Sequence, residues 1–188
     1  MKISITPDDD LIKRFGNQLG ALSERDGHKA LARAVNRTTN TVHGRVIRSV
    51  VQQSSIPRQI VKQQVSKQTV KPGSGNSLEG VIFARGNPIP LKEFKAKQFS
   101  YGVKAKVWGK QRKFVGMFIF AGTYRSGKSV ANGHVFQRVT TAGLPIELQR
   151  GPAVPSELVR NNAKEEFTKT VKEMLPQRVQ HELGRLLP

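Results

Sequence analysis

The spacing of apolar residues changes twice along this chain, and these changes limit the folds it can adopt. Between residues 28 and 53, apolar side chains such as Leu31 and Val35 recur close to every fourth position. Residues 101–108 instead alternate between apolar and polar side chains, and residues 156–186 return to the helical spacing. A period near 3.6 indicates helix and a period of two indicates strand. The chain is therefore predicted to be an α+β protein with N-terminal amphipathic helices, an antiparallel sheet of about four or five strands and a long C-terminal helix.

Capping and helix-breaking residues set the predicted ends of these elements. Thr6 and Pro7 suit the start of a first helix, and Asp26 with Gly27 is expected to interrupt the helical pattern. Pro176 is expected to kink or restart the last helix. The predicted elements are helices 6–22, 28–53 and 58–64, strands 78–85, 101–108, 114–121 (a buried strand), 134–140 and 146–149, and a closing helix from residue 156.

The length favours one domain, and composition divides it into three segments. Two stretches rich in Gly, Ser, Lys and Asn are expected to be long mobile loops, at residues 65–80 and 122–133. The predicted organisation is a single domain, 1–188, with a helical segment over residues 1–64, a basic β segment over residues 65–150 and a C-terminal helix over residues 151–188.

The chain is strongly basic, with 32 Lys and Arg against 13 Asp and Glu, for a net charge of +19. Most of this excess belongs to the middle of the chain, residues 61–150. Self-repulsion of this size disfavours an isolated compact subunit, so an anionic partner is expected, and nucleic acid is the common one.

Aromatic residues are interleaved with the basic residues of this middle segment. Between residues 85 and 128 eleven Lys and Arg stand against Glu93 alone. Stacking on aromatic rings combined with phosphate contacts is typical of single-stranded nucleic-acid binding. The alternative is that the aromatic residues belong to the core while the lysines line a solvent face. The aromatic residues in question are Phe94, Phe99, Tyr101, Trp108 and Tyr124.

Several functional classes find no support in the sequence. The chain has no cysteine, and its four histidines are scattered, so neither a disulfide nor a metal site is expected. No signal peptide and no apolar run long enough for a bilayer are present, which predicts a soluble protein without a membrane partner. No nucleophile elbow occurs, so we expect no enzyme activity and no cofactor.

Residues 122–129 match the pattern of a phosphate-binding loop, G-x-x-x-x-G-K-[ST]. In such a loop Lys128 would contact phosphates and Ser129 a magnesium ion. A true loop of this kind opens a helix, whereas here a strand-like segment, 134–140, follows almost at once. The match is therefore interpreted as a basic loop between two antiparallel strands.

Three stretches carry a family resemblance: residues 30–39, residues 133–138 (GHVFQR) and residues 144–155 (LPIELQRGPAVP). Together with their order and the length of the chain, they resemble the minor tail protein Z family of tailed phages. The resemblance implies a structural virion protein that completes the head-proximal end of the tail and helps join tail to head at the neck.

The same resemblance implies particular partners and places. It implies a homo-oligomeric ring, expected to have six copies, that contacts other neck and tail proteins and surrounds double-stranded DNA without sequence specificity. The location implied is the tail or neck of the virion, and the host cytoplasm during assembly.

Candidate site residues follow from the basic middle segment and from the matched stretches. Candidates for facing the DNA channel are Lys104, Lys106, Lys110, Arg112, Lys113, Arg125 and Lys128. Candidates for the subunit interface are Arg33, Arg37, Arg138 and Arg150. The alternative function is a stand-alone, non-specific nucleic-acid-binding protein, and a phosphate-loop nucleotidase is a distant third.

Overall fold

Helices form both ends of the chain and strands its middle in the computed structural model, which describes residues 1–7, 9–20, 24–71, 78–123, 129–141 and 144–186. The helices are α1 (Asp9–Arg14), α2 (Gly16–Gly20), α3 (Glu24–Ser54), α4 (Arg58–Gln64), α5 (Val154–Leu158) and α6 (Asn161–Gly184), with a 3₁₀ turn at Leu91–Phe94. The strands are β1 (Lys2–Ile5), β2 (Val65–Gln68), β3 (Gly80–Ala84), β4 (Lys97–Phe99), β5 (Gly102–Val107), β6 (Lys110–Val115), β7 (Met117–Thr123), β8 (Ser129–Arg138) and β9 (Ile146–Leu148). The predicted α+β class, with a long C-terminal helix, is confirmed.

The two long helices, α3 and α6, pack against each other in opposite directions. Gln53, near the end of α3, accepts a hydrogen bond from the backbone of Ala163 at the start of α6. Arg37, earlier in α3, pairs with Glu182 near the end of α6. Each apolar side chain buried on such a stripe contributes about 1.5–3 kcal/mol. The fully buried members on α3 include Val35, Val42, Val46 and Val50.

The strands are divided among sheets, in contrast to the prediction of one sheet. Within the described ranges they form three antiparallel sheets of three strands, ordered β1–β3–β2, β4–β5–β6 and β7–β8–β9. Gly116, with a φ of +74°, turns the backbone between β6 and β7 and so divides the predicted strand 114–121 between two sheets. That segment is also not buried, since Val115 is 72% and Phe120 43% exposed.

Several predicted helix boundaries differ for reasons of packing. The predicted first helix is two short ones, because the chain turns at Phe15, which is buried. Asp26 and Gly27 do not interrupt the second helix but lie within α3, where Gly27 is buried. Pro176 lies inside α6 rather than restarting it, and burial of residues on either side of it, such as Val179, outweighs one lost backbone hydrogen bond.

The two predicted loops are partly regular structure. Residues 65–68 are β2, and the backbone of Val70 exchanges two hydrogen bonds with the side-chain amide of Asn36 on α3. Most of the second predicted loop belongs to the hairpin of β7 and β8. Residues 72–77 and 124–128 lie outside the described residues.

A buried polar network ties α3 to the start of the C-terminal helices and to the β5–β6 turn. The side-chain amide of Gln53 donates to the backbone oxygen of Glu157 at 2.7 Å and to its Oε2 at 2.9 Å. Trp108 Nε1 donates to Glu157 Oε1 at 3.2 Å, and Glu157 is only 5% exposed. Gln53 thus satisfies three polar groups, two on Glu157 and the amide of Ala163.

We predict that Gln53→Ala lowers the free energy of unfolding by about 2 kcal/mol or more, because it leaves a buried carboxylate oxygen and two backbone groups without their partner. Denaturant titration measures this change. Gln52→Ala serves as the matched control, since Gln52 is exposed on the same helix and its loss should stay within about 0.5 kcal/mol of wild type. Equal stability of the two variants would contradict the role given to Gln53.

Candidate nucleic-acid interface

Three lysines stand directly opposite one another across the middle sheet. Lys97 on β4 pairs in register with Lys104 on β5, and Lys104 pairs with Lys113 on β6. Directly opposite residues in antiparallel strands project from the same face, and Lys106 shares that face because it is two residues from Lys104. We call Lys97, Lys104, Lys106 and Lys113 the lysine face.

The opposite face of β5 fixes this orientation. Val103, Ala105 and Val107 are fully buried in the core. A slip of one residue in register would bury Lys104 and Lys106 in their place. The alternation predicted from the sequence for this strand is therefore confirmed, with lysines outward and small apolar residues inward.

The lysine face lacks compensating acidic groups. In the part of the chain that the structure describes, none of its four ammonium groups lies within ion-pair distance of a carboxylate. Like charges directly opposite each other on neighbouring strands are destabilising. An anionic partner would remove this repulsion, so the face suits a polyanion.

Two aromatic rings lie at one end of the lysine face. Phe99 and Tyr101 stack with their ring centroids 5.4 Å apart and an angle of 8° between the planes. Lys113 Nζ lies 5.4 Å from the centroid of Tyr101, as in a cation–π contact. Phe99 is 42% exposed, so part of this pair is open to solvent.

The predicted channel-facing residues do not all share this face. Lys104, Lys106 and Lys113 belong to it, whereas Lys110 and Arg112 pair with Val107 and Ala105 and so project from the other side of the sheet. Arg112 instead lies over the ring of Trp108, 4.8 Å from its centroid. The other two predicted channel residues, Arg125 and Lys128, lie outside the described residues.

Lys97 was not among the residues that the sequence predicted to face the DNA channel, because β4, the strand that carries it, is very short. This strand has only three residues, too few to show a period, and its pairing with β5 is a tertiary contact. The signal available in the sequence was Phe99, two positions after Lys97 and already noted among the interleaved aromatic residues.

Phe94 and Trp108, two of the remaining interleaved aromatic residues, do not join this surface. Phe94 is 1% exposed and belongs to the core, and Trp108 is held by Glu157 and Arg112. Tyr124 lies outside the described residues.

The predicted interface arginines fall into two pairs, Arg33 and Arg37 on α3, and Arg138 and Arg150 at or just after the ends of strands of the third sheet. Arg33 is exposed on α3, and Arg37 pairs with the buried Glu182 of the same chain at 3.3 Å. Arg150 Nη1 donates to the backbone oxygen of Pro88 at 3.4 Å. Their assignment to a subunit interface stays a prediction.

Arg138 lies on a partly exposed apolar face of the third sheet. Phe118, Phe136 and Leu148 are directly opposite one another across its strands, and the guanidinium of Arg138 lies 5.4 Å from the ring centroid of Phe118. All of these side chains are partly or largely exposed. We call the set the outer apolar face: Phe118, Phe120, Phe136, Ile146 and Leu148.

His134 also belongs to the side of the sheet that carries the outer apolar face, opposite Phe120. Burial, followed by the nearby charge of Lys92, lowers the pKa of His134 below its ordinary value. The ring therefore stays neutral to a lower pH than usual.

The apparent phosphate-binding loop lies within an antiparallel hairpin. Gly122 on β7 pairs with Val130 on β8, and Thr123 pairs with Ser129. No helix opens after residue 128, because β8 begins at Ser129, and this confirms the interpretation of the match as a connection between antiparallel strands.

The residues that the structure describes include neither a metal-binding cluster nor a membrane-spanning helix. Those residues contain no group of three or more His, Cys, Asp or Glu placed to hold a metal ion. They also contain no helix both long and apolar enough to cross a bilayer.

Comparisons with known proteins identify the family. The family model for prophage minor tail protein Z matches residues 15–188. No curated protein and no solved structure gave a match. Because the family match covers nearly the whole chain, this chain belongs to the prophage minor tail protein Z family, a family of structural phage tail components.

Proposed function

We propose that this protein completes the head-proximal end of a phage tail and helps join the tail to the head at the neck, around the DNA channel. Family membership supports a structural role in the tail, and the lysine face is the observation that favours a position next to DNA. A surface of uncompensated lysines is tolerated where a phosphate backbone passes close to it.

Double-stranded DNA is the proposed partner of the lysine face, without sequence specificity. Lysine side chains are long and flexible and end in a point charge, which suits them to phosphates and not to the fixed edges of bases. Lys104, Lys106 and Lys113 of the sequence-based set belong to this proposed contact, and Lys97 joins them. A stand-alone DNA-binding protein would share this surface, so the test must measure assembly as well as binding.

A second component of the proposal concerns neighbouring copies. We propose that the subunits form a ring, of six copies by the family resemblance, in which the outer apolar face with Arg138 meets the adjacent subunit. Exposure of this apolar face supports the arrangement, since Phe120 is 43% exposed and Phe118, Phe136, Ile146 and Leu148 are partly exposed. Such a head-to-tail contact generates a closed ring when its rotation closes.

We predict that Lys104→Glu combined with Lys106→Glu impairs head–tail joining without destabilising the subunit. The first substitution places a carboxylate between Lys97 and Lys113, and two such opposite-charge pairs add about 0.2–1 kcal/mol each to the stability. Electron microscopy of particles from a complemented phage should show separate full heads and tails, while thermal unfolding occurs at or above the wild-type temperature.

The matched control is Lys110→Glu combined with Arg112→Glu, which changes the net charge equally on the other side of the same sheet. We expect joined particles from this control. Normal infectious particles from the Lys104 and Lys106 variant would contradict the placement of the lysine face next to DNA.

We predict that Arg138→Glu weakens self-association of the purified subunit, because the exchange replaces a guanidinium that lies over the ring of Phe118 with a carboxylate that would lose its hydration in the proposed contact. Sedimentation velocity over a concentration series measures the shift toward monomer. Lys62→Glu, at an exposed position on α4, is the charge-matched control and should associate like wild type. If wild type, Arg138→Glu and Lys62→Glu associate equally, the outer apolar face is not part of the contact between subunits.

A further inference from the structure

The ring of Phe99 is partly exposed and lies opposite a residue that has no side chain. Phe99 lies opposite Gly102 on β5, and Gly102 lies opposite Val115 on β6. A side chain at position 102 is not tolerated, because the φ of Gly102 is +142° and an added Cβ would lie 2.2 Å from the backbone oxygen of Phe114. No side chain on β5 therefore stands directly opposite Phe99, and Val115, on the far side of Gly102, is 72% exposed.

Lysines flank Gly102 on both neighbouring strands, β4 and β6. Lys97 is two residues before Phe99 on the same face, and Lys113 contacts the ring of Tyr101. Lys106, at the other end of β5, also lines a cleft of about 530 Å³ together with Arg58 and Lys95, where Glu93 is the acidic residue. The basic surface thus continues beyond the sheet at Lys106, and the partly exposed pair of Phe99 and Tyr101 lies at the other end of the lysine face.

An exposed aromatic ring can favour single-stranded over duplex DNA, whereas lysines alone cannot distinguish the two. Phosphates are available to lysines in duplex and single strands alike, but the faces of paired bases are covered by their neighbours in a duplex. An unpaired base has a free face and stacks on exposed aromatic side chains. The combination of lysine face and stacked rings therefore offers single-stranded DNA a contact that duplex DNA does not make.

We propose that the lysine face together with Phe99 and Tyr101 binds single-stranded DNA in preference to duplex DNA, with an unpaired base stacked on Phe99. This inference takes from the proposed function only that the lysine face meets DNA. It adds a chemical class of ligand, an unpaired stretch of polynucleotide, and assigns the contact to Phe99.

The test compares fluorescence anisotropy titrations of the full chain with a labelled single-stranded oligonucleotide and with a duplex of the same length. Wild type is expected to bind the single strand more tightly. Phe99→Leu keeps an apolar side chain but removes the ring, and it should weaken single-strand binding at least about fivefold while leaving duplex binding unchanged. Phe99→Trp should restore the single-strand affinity.

A second variant separates charge from stacking. Lys104→Gln combined with Lys113→Gln should weaken binding of both forms and lower the salt slope for the single strand by about 1.4, the value for two lost phosphate contacts. Lys110→Gln combined with Lys164→Gln, at exposed positions off the lysine face, is the charge-matched control and should have a smaller effect on both forms.

The outcomes distinguish this inference from the proposed function. Equal losses for single strand and duplex in Phe99→Leu, or no single-strand preference in wild type, would overturn the stacking site. If the lysine variant still loses duplex affinity in that case, the DNA contact of the proposed function stands. If the lysine variant binds both forms like the control, neither the stacking site nor the DNA-facing assignment survives.

Discussion

The antiparallel packing of α3 against α6 is the interaction on which the other elements depend. The apolar stripe of α3 contacts α6 along most of its length, and the buried Glu157 connects this helix pair to Trp108 in the β5–β6 turn. Trp108 and Gly109 also bond to the end of α3 through Ser54 and Ser55. The middle sheet is thereby fixed to the helices by its inner face and its turn, which leaves its other face, with the lysines, directed outward.

The lysine face opposes stability in the isolated subunit and becomes favourable only with an anionic partner. Repulsion across Lys97, Lys104 and Lys113 is offset by burial of Val103 and Val107 on the other side of the same sheet. A surface of this kind is typical of a protein whose working state is a complex. Membership of a tail protein family is consistent with that conclusion, because such a protein acts within a particle.

The outer apolar face is a second surface that is unfavourable in the isolated subunit, here because apolar side chains are exposed to water. Phe120 is 43% exposed, Phe118 and Phe136 are partly exposed on the same face, and the guanidinium of Arg138 lies over the ring of Phe118. The lysine face and this apolar face belong to different sheets, separated at Gly116. The proposed DNA contact and the proposed contact with a neighbouring subunit therefore use different surfaces, so that one does not block the other.

The sequence alone determined the α+β class, the long helices, the alternation of β5 and the family, because each depends on local periodicity or on a contiguous motif. It also indicated that Gly122 to Ser129 connects strands, since a strand-like pattern follows them. Only the tertiary structure decided which basic residues of the neighbouring strands share a face with Lys104 and Lys106. Lys97 joins Lys104 through pairing with a three-residue strand, and Arg112 is separated from Lys113 by the side of the sheet it occupies. Strand register and the turn at Gly116 are long-range or backbone properties, and no periodicity within a single segment encodes them.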